Sequence, residues 1–297
     1  MLKVENISKS YGSNLAVDNL SFTVKNGEIF GLLGANGAGK TTTFRIIMGL
    51  LDLDNGSVTL DNQKIDYSIT DKIGFVTEER SLLTKMTVKE QIIYYGILKG
   101  MTEDEILDKL DIWLEKFQIT EYKNRKIKEL SKGNQQKIQF ISAVINNPKL
   151  LILDEPFTGL DPVNVEMFKE AIYELQKEGC SIIFSSHQME HIERFCEKLI
   201  ILVKGKVVLE GYLKDIKKEY SKKNIHIEGD LDIKDLKNVK GVLEINKLAN
   251  EYEVKISDES IVSSVFKAVS KNKITKFLVE EPTLNEIFIS KVGEKYE

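Results

Sequence analysis

The run GLLGANGAGKTTT contains Gly34-Ala-Asn-Gly-Ala-Gly-Lys-Thr41, a full G-x-x-x-x-G-K-[ST] spacing. Its glycines let the backbone wrap tightly, so that successive N–H groups point at phosphate oxygens. Lys40 adds a point charge toward the β- and γ-phosphates, and the Thr41 hydroxyl suits a Mg²⁺ ligand. A helix starting here contributes its positive N-terminal end. Farther along, LLILDEP brings Asp154 and Glu155 to the end of an apolar run. The first carboxylate suits a Mg²⁺ partner, and the second can orient or deprotonate an attacking water. This chemistry is nucleotide binding with hydrolysis.

Two further stretches carry partial signals. In ELSKGNQQK, Ser131 and Gly133 stand just ahead of a helical pattern, an arrangement suited to an anion, with Lys132 between them. Nothing nearby completes that site. In SSHQMEH, His187, Glu190 and His191 fit H-x-x-E-H, which on a helix can hold zinc. His187 also directly follows the apolar run SIIFS, at the end where strands of α/β sheets meet ligands. That placement favours a nucleotide contact, which needs no third metal ligand. His191 and His226 read as packing or surface residues.

These residues need a frame. LKVENI and LSFTV show period-two apolar positions, as in half-exposed antiparallel strands. IFGLL, LLILD, SIIFS and LIILV are nearly unbroken apolar runs, the pattern of parallel strands buried on both faces. IFGLL leads into the phosphate loop and the helical pattern TTTFRIIMGLL leads out of it. The strand signal disappears from 86 to 128, where Thr102 and Glu105 have capping-box spacing. Ile106, Leu110, Trp113, Leu114 and Phe117 then recur at helical spacing, with Trp113 expected to face a core. Near residue 215, the lysine-rich LKDIKKEYSKKN suggests a solvated helix face and a boundary. IHIEG, VLEIN, YEVKI and KFLVE follow as strands, then a helix capped by Thr283 and Glu286. The expected fold class is α/β: a P-loop NTPase core with an antiparallel β lobe and helical insertion, plus a small α+β domain.

Bulk properties narrow the function. The chain has 297 residues and a formal net charge of −4, so nothing electrostatic points to nucleic acid. Two cysteines, Cys180 and Cys196, are too few for a disulfide framework and lack metal spacing, and they read as reduced thiols. MLKVENISKSYG has no apolar segment of a secretory leader. No apolar run approaches the ~20 residues of a membrane span.

Over about residues 1–215 these motifs, in their order, resemble those of ATP-binding cassette (ABC) ATPases. The resemblance implies that Tyr11 stacks on adenine, and that Gly34, Asn36, Gly37, Ala38, Gly39, Lys40, Thr41 and Thr42 hold ATP. It assigns Thr41 and Asp154 to Mg²⁺, Glu155 to the catalytic base, and His187 to a γ-phosphate contact. LSKGNQQK resembles the signature L-S-G-G-Q, so Ser131, Lys132, Gly133 and Asn134 would cover the ATP of a second subunit. TGLDP, with Asp161, matches the loop at the subunit interface. Two positions depart from the family pattern: Glu78 stands where a glutamine usually reaches the Mg²⁺ shell, and Lys132 stands where glycine is usual.

EEPTLNEIF resembles the end of a small domain on certain bacterial exporter ATPases, including ones associated with sodium or peptide-antibiotic efflux. The family implies an ATPase domain at 1–215 with a helical subdomain near 86–145, and an accessory domain at 216–297. It implies ATP with Mg²⁺, a second cassette (the same chain or a related one) and an integral membrane permease as partners. The chain would then be cytoplasmic and peripheral at the inner face of the cell membrane. An ABC-type protein of translation or DNA repair is the alternative. The translation type usually carries two cassettes and the repair type a long coiled coil, and neither is visible here. A kinase or GTPase leaves LSKGNQQK unexplained.

Overall fold

The period-two segments at the start pair as antiparallel strands β1 (Leu2–Tyr11) and β2 (Asn14–Val24), with Leu2 opposite Val24 and Val4 opposite Phe22. Both run beyond the apolar segments read in the sequence. Lys9, Ser10 and Tyr11 pair with Val17, Leu15 and Asn14, so backbone pairing extends the hairpin where apolar alternation has ended. The computed structural model describes residues 1–220, 222–230 and 233–296; Ser221 of the lysine-rich stretch, Leu231, Asp232 and Glu297 lie outside them.

The runs read as buried strands form a six-stranded sheet. Its members are β3 (Ile29–Leu33), β6 (Ile73–Val76), β7 (Leu150–Asp154), β8 (Ser181–Ser185), β9 (Lys198–Val203) and β10 (Lys206–Tyr212), in the order β10-β9-β3-β8-β7-β6. Strands β4 (Asn55–Leu60) and β5 (Gln63–Lys64) instead complete the antiparallel sheet β2-β1-β4-β5. Every residue of β3, β7 and β8 is buried, as apolar runs without alternation require. β3, β7 and β8 are parallel, with Gly31 beside Phe184 and Asp154 beside Ser185. The segments that follow these three strands therefore leave from one edge of the sheet. Phe22 stacks on Phe30 at 4.9 Å between ring centroids, joining the two sheets in one core.

Six helices belong to this part: α1 (Lys40–Ile47), α2 (Val88–Leu98), α3 (Glu103–Lys116), α4 (Lys132–Val144), α5 (Pro162–Lys177) and α6 (Met189–Phe195). Capping boxes, Thr87 with Glu90 and Thr102 with Glu105, start α2 and α3. A Cβ on Gly96 would lie 2.5 Å from the Ile106 side chain, so a larger residue there would force Ile106 to shift where α2 meets α3. Trp113 is buried, stacked on Phe117 and edge-on to Phe140, and both phenyl rings contact Phe168. Truncating such a ring costs about 3–5 kcal/mol, so this aromatic cluster holds α3, α4 and α5 together. Among the described residues, no helix is long and apolar enough to cross a membrane.

The chain divides into two compact units, Met1–Glu210 and Gly211–Glu297. The second opens with α7 (Leu213–Glu219), which buries Ile216 and exposes Lys214 and Lys218. Strands β11 (Lys223–Asp230), β12 (Val242–Lys247), β13 (Tyr252–Ile256) and β14 (Lys273–Glu280) form the antiparallel order β12-β13-β11-β14. Ile225, Ile227, Val254 and Ile256 pack with Leu236 of α8 (Ile233–Lys237) and with Val265 and Val269 of α9 (Val262–Val269). His226 alternates away from that core and pairs with Glu251 at 2.9 Å, a structural role. Helix α10 (Leu284–Tyr296) starts at the Thr283–Glu286 capping box, and Glu286 also accepts from Asn224 and Lys255.

Candidate functional site

The phosphate loop links β3 to α1. Gly39, the residue before α1, has φ 106°, and a Cβ there would fall 2.4 Å from the Ala16 carbonyl oxygen. A side chain is thus excluded both by conformation and by space. No side chain caps α1 and no acid lies in its first turn, which leaves its N–H groups and positive end for an anion. Lys40 is buried and folds back over the loop, donating to the Gly34 carbonyl at 2.6 Å. Thr43 Oγ1 donates to the Gly39 carbonyl at 2.9 Å, and the Gly205 N–H donates to the Ala38 carbonyl at 3.0 Å.

Asp154 ends β7 and is 7% exposed, with Ser185 Oγ donating to it at 2.5 Å. Burial pushes its carboxyl above the ordinary value, and the Ser185 hydrogen bond and Lys40 pull the other way. Glu155 has φ 51°, a left-handed conformation that costs a non-glycine residue on the order of 1 kcal/mol. Its surroundings hold it there. Its N–H donates to the Ser185 carbonyl, while its carboxylate accepts from the His187 N–H at 2.5 Å and from Ser186 Oγ at 3.2 Å. His187 Nδ1 lies 2.8 Å from the same carboxylate. His191 has different company, packing edge-on to Phe157.

A cleft of about 840 Å³ gathers the loop residues Asn36 to Thr42 with Tyr11, Glu78, Asp154, Glu155 and His187. Gly34 lies behind it, as the acceptor for Lys40. Thr41, Asp154 and Glu78 offer hard oxygen donors. Few carboxylates with room for phosphate oxygens is the donor set that suits Mg²⁺. Sequence reasoning missed Ala35 of the phosphate loop and four residues of the wall far from it in sequence, Asn14, Leu15 and Ala16 of the β1–β2 hairpin and Lys204 between β9 and β10. No local motif marks those four; the sheet brings their turns to the phosphate loop. It also missed Ser185, the last residue of the run SIIFS, and Ser186 after it, although their position at the end of a buried strand was a usable signal.

The remaining predicted residues form a second group outside the cleft. Ser131 caps α4, its hydroxyl accepting from the Asn134 N–H at 3.3 Å, and Lys132 is exposed. Asp161 caps α5 through the Asn164 N–H at 2.9 Å and also holds the Asn164 amide at 2.6 Å. The same amide faces Gly133, where a Cβ would lie 3.5 Å from its nitrogen. The turn at 131–134 and the loop at Asp161 are therefore neighbours.

Comparison with known proteins agrees with this geometry. Residues 17–158 match the family described as ABC transporter, and residues 211–292 match the C-terminal domain of DrrA1-3-like ATP-binding proteins. An uncharacterized ABC transporter ATP-binding protein of Bacillus subtilis (strain 168) is 51% identical over 298 residues, spanning 100% of both chains. The linearmycin resistance ATP-binding protein LnrL of the same organism is 32% identical, covering 99% of this chain and 98% of its own. The structure of a dimeric bacterial ABC transporter cassette covers 72% of this chain and 99% of its own, with 29% identity and a TM-score of 0.66. The chain belongs to the ATP-binding subunits of ABC transporters, ATPases whose cassettes bind ATP and dimerise.

Proposed function

We propose that the cassette hydrolyses Mg²⁺-bound ATP in a head-to-tail pair and so drives an integral membrane permease, in the direction of export. One observation carries the reading: the residues singled out by chemistry split into two groups. Lys40, Thr41, Glu78, Asp154, Glu155 and His187 share a cleft, whereas Ser131–Asn134 and Asp161 lie outside it. Each group lacks what the other offers, so a second cassette completes the site. The partner cassette is a second copy or a related chain, and the pair works at the inner face of the cell membrane through the permease.

Within one cleft, Tyr11 stacks on adenine and the loop N–H groups with Lys40 hold the phosphates. Mg²⁺ held by Thr41, Asp154 and Glu78 would neutralise charge on the phosphate oxygens. Glu155 takes a proton from the attacking water, and His187 contacts the γ-phosphate. Those two side chains are bonded to each other here. ATP arrival must therefore exchange that contact for water on Glu155 and phosphate on His187. Ser131 and the N–H groups near Gly133 of the other chain add neutral donors to the γ-phosphate. Residues 1–215 act as the ATPase domain, with a helical subdomain at about 86–145, and 216–297 as an accessory domain. The export direction draws support from the match of that second domain and from the linearmycin-resistance relative.

Glu155→Gln tests the chemistry. It should bind ATP while turnover falls about 10²–10⁴-fold, the range of general-base catalysis, and paired cassettes should accumulate on a sizing column. Full turnover in that variant would remove Glu155 as the base. Copurification from membranes tests the partner, and recovery of the chain without any membrane protein would count against a permease.

A further inference from the structure

The loop that carries Glu78 is fastened to α4 at two points. At its start, Gln139 Nε2 lies 3.1 Å from the Thr77 carbonyl oxygen, 2.8 Å from Thr77 Oγ1 and 3.4 Å from the Glu79 carbonyl oxygen. The Thr77 hydroxyl in turn donates to the Glu79 carbonyl, closing the loop around Glu78. At its end, the Leu83 N–H donates to Gln91 Oε1 at 2.7 Å, and Gln91 Nε2 donates to Ser142 Oγ at 3.0 Å. Gln139 and Ser142 are three residues apart on α4 and so share a face.

The Gln139 contact is poised to exchange. Both carbonyls facing Nε2 can only accept, which sets the orientation of the amide. Two N–H bonds then serve three acceptors, while Oε1 is buried with no hydrogen-bond partner among the described residues. A buried acceptor left unmet is unfavourable, so a loop position that brings a donor to Oε1 competes with the present one. The same helix begins at the Ser131 turn, roughly 12 Å away along its axis at 1.5 Å per residue. Gln139 itself does not line the cleft.

We propose that Gln139 is a positioning residue for ATP turnover. Through α4 it keeps the Glu78 loop in step with the Ser131 turn, so one chain's loop is set when its turn covers the other chain's ATP. This rests on the reading of both groups given under Proposed function. The occupant is ATP in the cleft described above; Gln139 lies outside that cleft and acts by holding the loop that lines it.

The test compares the full-length chain with Gln139→Met, which keeps the volume and removes both donors, and with Gln139→Lys, whose ammonium restores donors to the same acceptors. Gln139→Met should lower kcat about tenfold while the dissociation constant for ATP changes less than about threefold. Gln139→Lys should recover at least about a third of the lost rate. A kcat within twofold of wild type in Gln139→Met overturns the proposal. So does a parallel loss of ATP affinity and melting temperature in both variants, which marks a purely structural residue. Glu155→Gln, measured alongside, separates the two readings. If it keeps full turnover, the assignment of the site fails; if it loses turnover while Gln139→Met does not, only the role of Gln139 fails.

Discussion

The starts of α1 and α4 are two helix ends built in opposite ways. At α1, glycine precedes the helix, no side chain caps it, and a buried lysine folds over the loop. At α4, Ser131 caps its own helix and Lys132 stands in solvent. The first end opens into a cleft that also holds the buried Lys40 and Asp154. The second is exposed, where solvent and salt screen the same partial charges. The difference teaches that the α1 end keeps its N–H groups uncapped beside a buried lysine, whereas the α4 end spends one of its N–H groups on its own cap and leaves its lysine in solvent.

That comparison can be broken at several points. The largest effect belongs to Lys40→Ala, which removes the one side-chain cation inside the loop. A charge-assisted contact is worth about 1.5–3 kcal/mol, so ATP affinity should fall roughly 10- to 150-fold in an equilibrium titration. Unchanged affinity would mean that the backbone N–H groups suffice. Next comes Ser131→Ala. Turnover should drop about tenfold, as for loss of one donor to the transition state, while ATP binding to the single chain stays at the wild-type level. A matching loss of single-chain binding would deny the contrast between the two helix ends.

A smaller effect separates charge from geometry at Asp154. Burial raises its carboxyl above the ordinary value of 3.8, so the folded chain holds that proton to higher pH than the unfolded chain does. Between those two values the folded state binds more protons, and the Asp154 contribution to stability falls as pH rises. Asp154→Asn removes the buried charge. The nucleotide-free chain should then melt about 2–4 °C higher at pH 7 for roughly 1 kcal/mol, with a smaller gain near pH 4. Equal shifts at both pH values would show that titration of Asp154 is not the cause. Lys132→Gly should change least, because that side chain is exposed. The ATP dependence of turnover should match wild type, and a clear shift would put the lysine at the γ-phosphate.

Much of the site was legible because phosphate chemistry demands particular residues at short spacing. Glycines, Lys40 and Thr41 fall within one loop, and Asp154 and Glu155 are adjacent at the end of a strand, so local sequence carries them. Legibility failed where a residue works through a distant partner. Nothing around Gln139 points to Thr77, which lies on the far side of the helical region in sequence yet within hydrogen-bond reach in the fold. Ala16 and Gly205 are likewise far apart in the chain, but the Ala16 carbonyl lies so close that a Cβ on Gly205 would sit 2.8 Å from it. In the second unit, the strand runs and the Thr283–Glu286 cap were readable. The pairing of Glu286 with Asn224 and Lys255 was not, since it depends on strand register.

By itself the sequence determined the chemistry available: a phosphate-wrapping loop, two carboxylates after a buried strand, a histidine after another, and the periodicities that separate buried from half-exposed strands. Tertiary structure alone decided which of these meet. The parallel order of β3, β8 and β7 brings three strand ends to one edge, and with them Lys40, His187 and Glu155 into one cleft. It also kept Ser131 and Asp161 out of that cleft, on the starts of α4 and α5. The physical reason is that spacing along the chain controls only neighbours within a few residues, whereas strand order and helix packing set distances between segments through burial of the shared core.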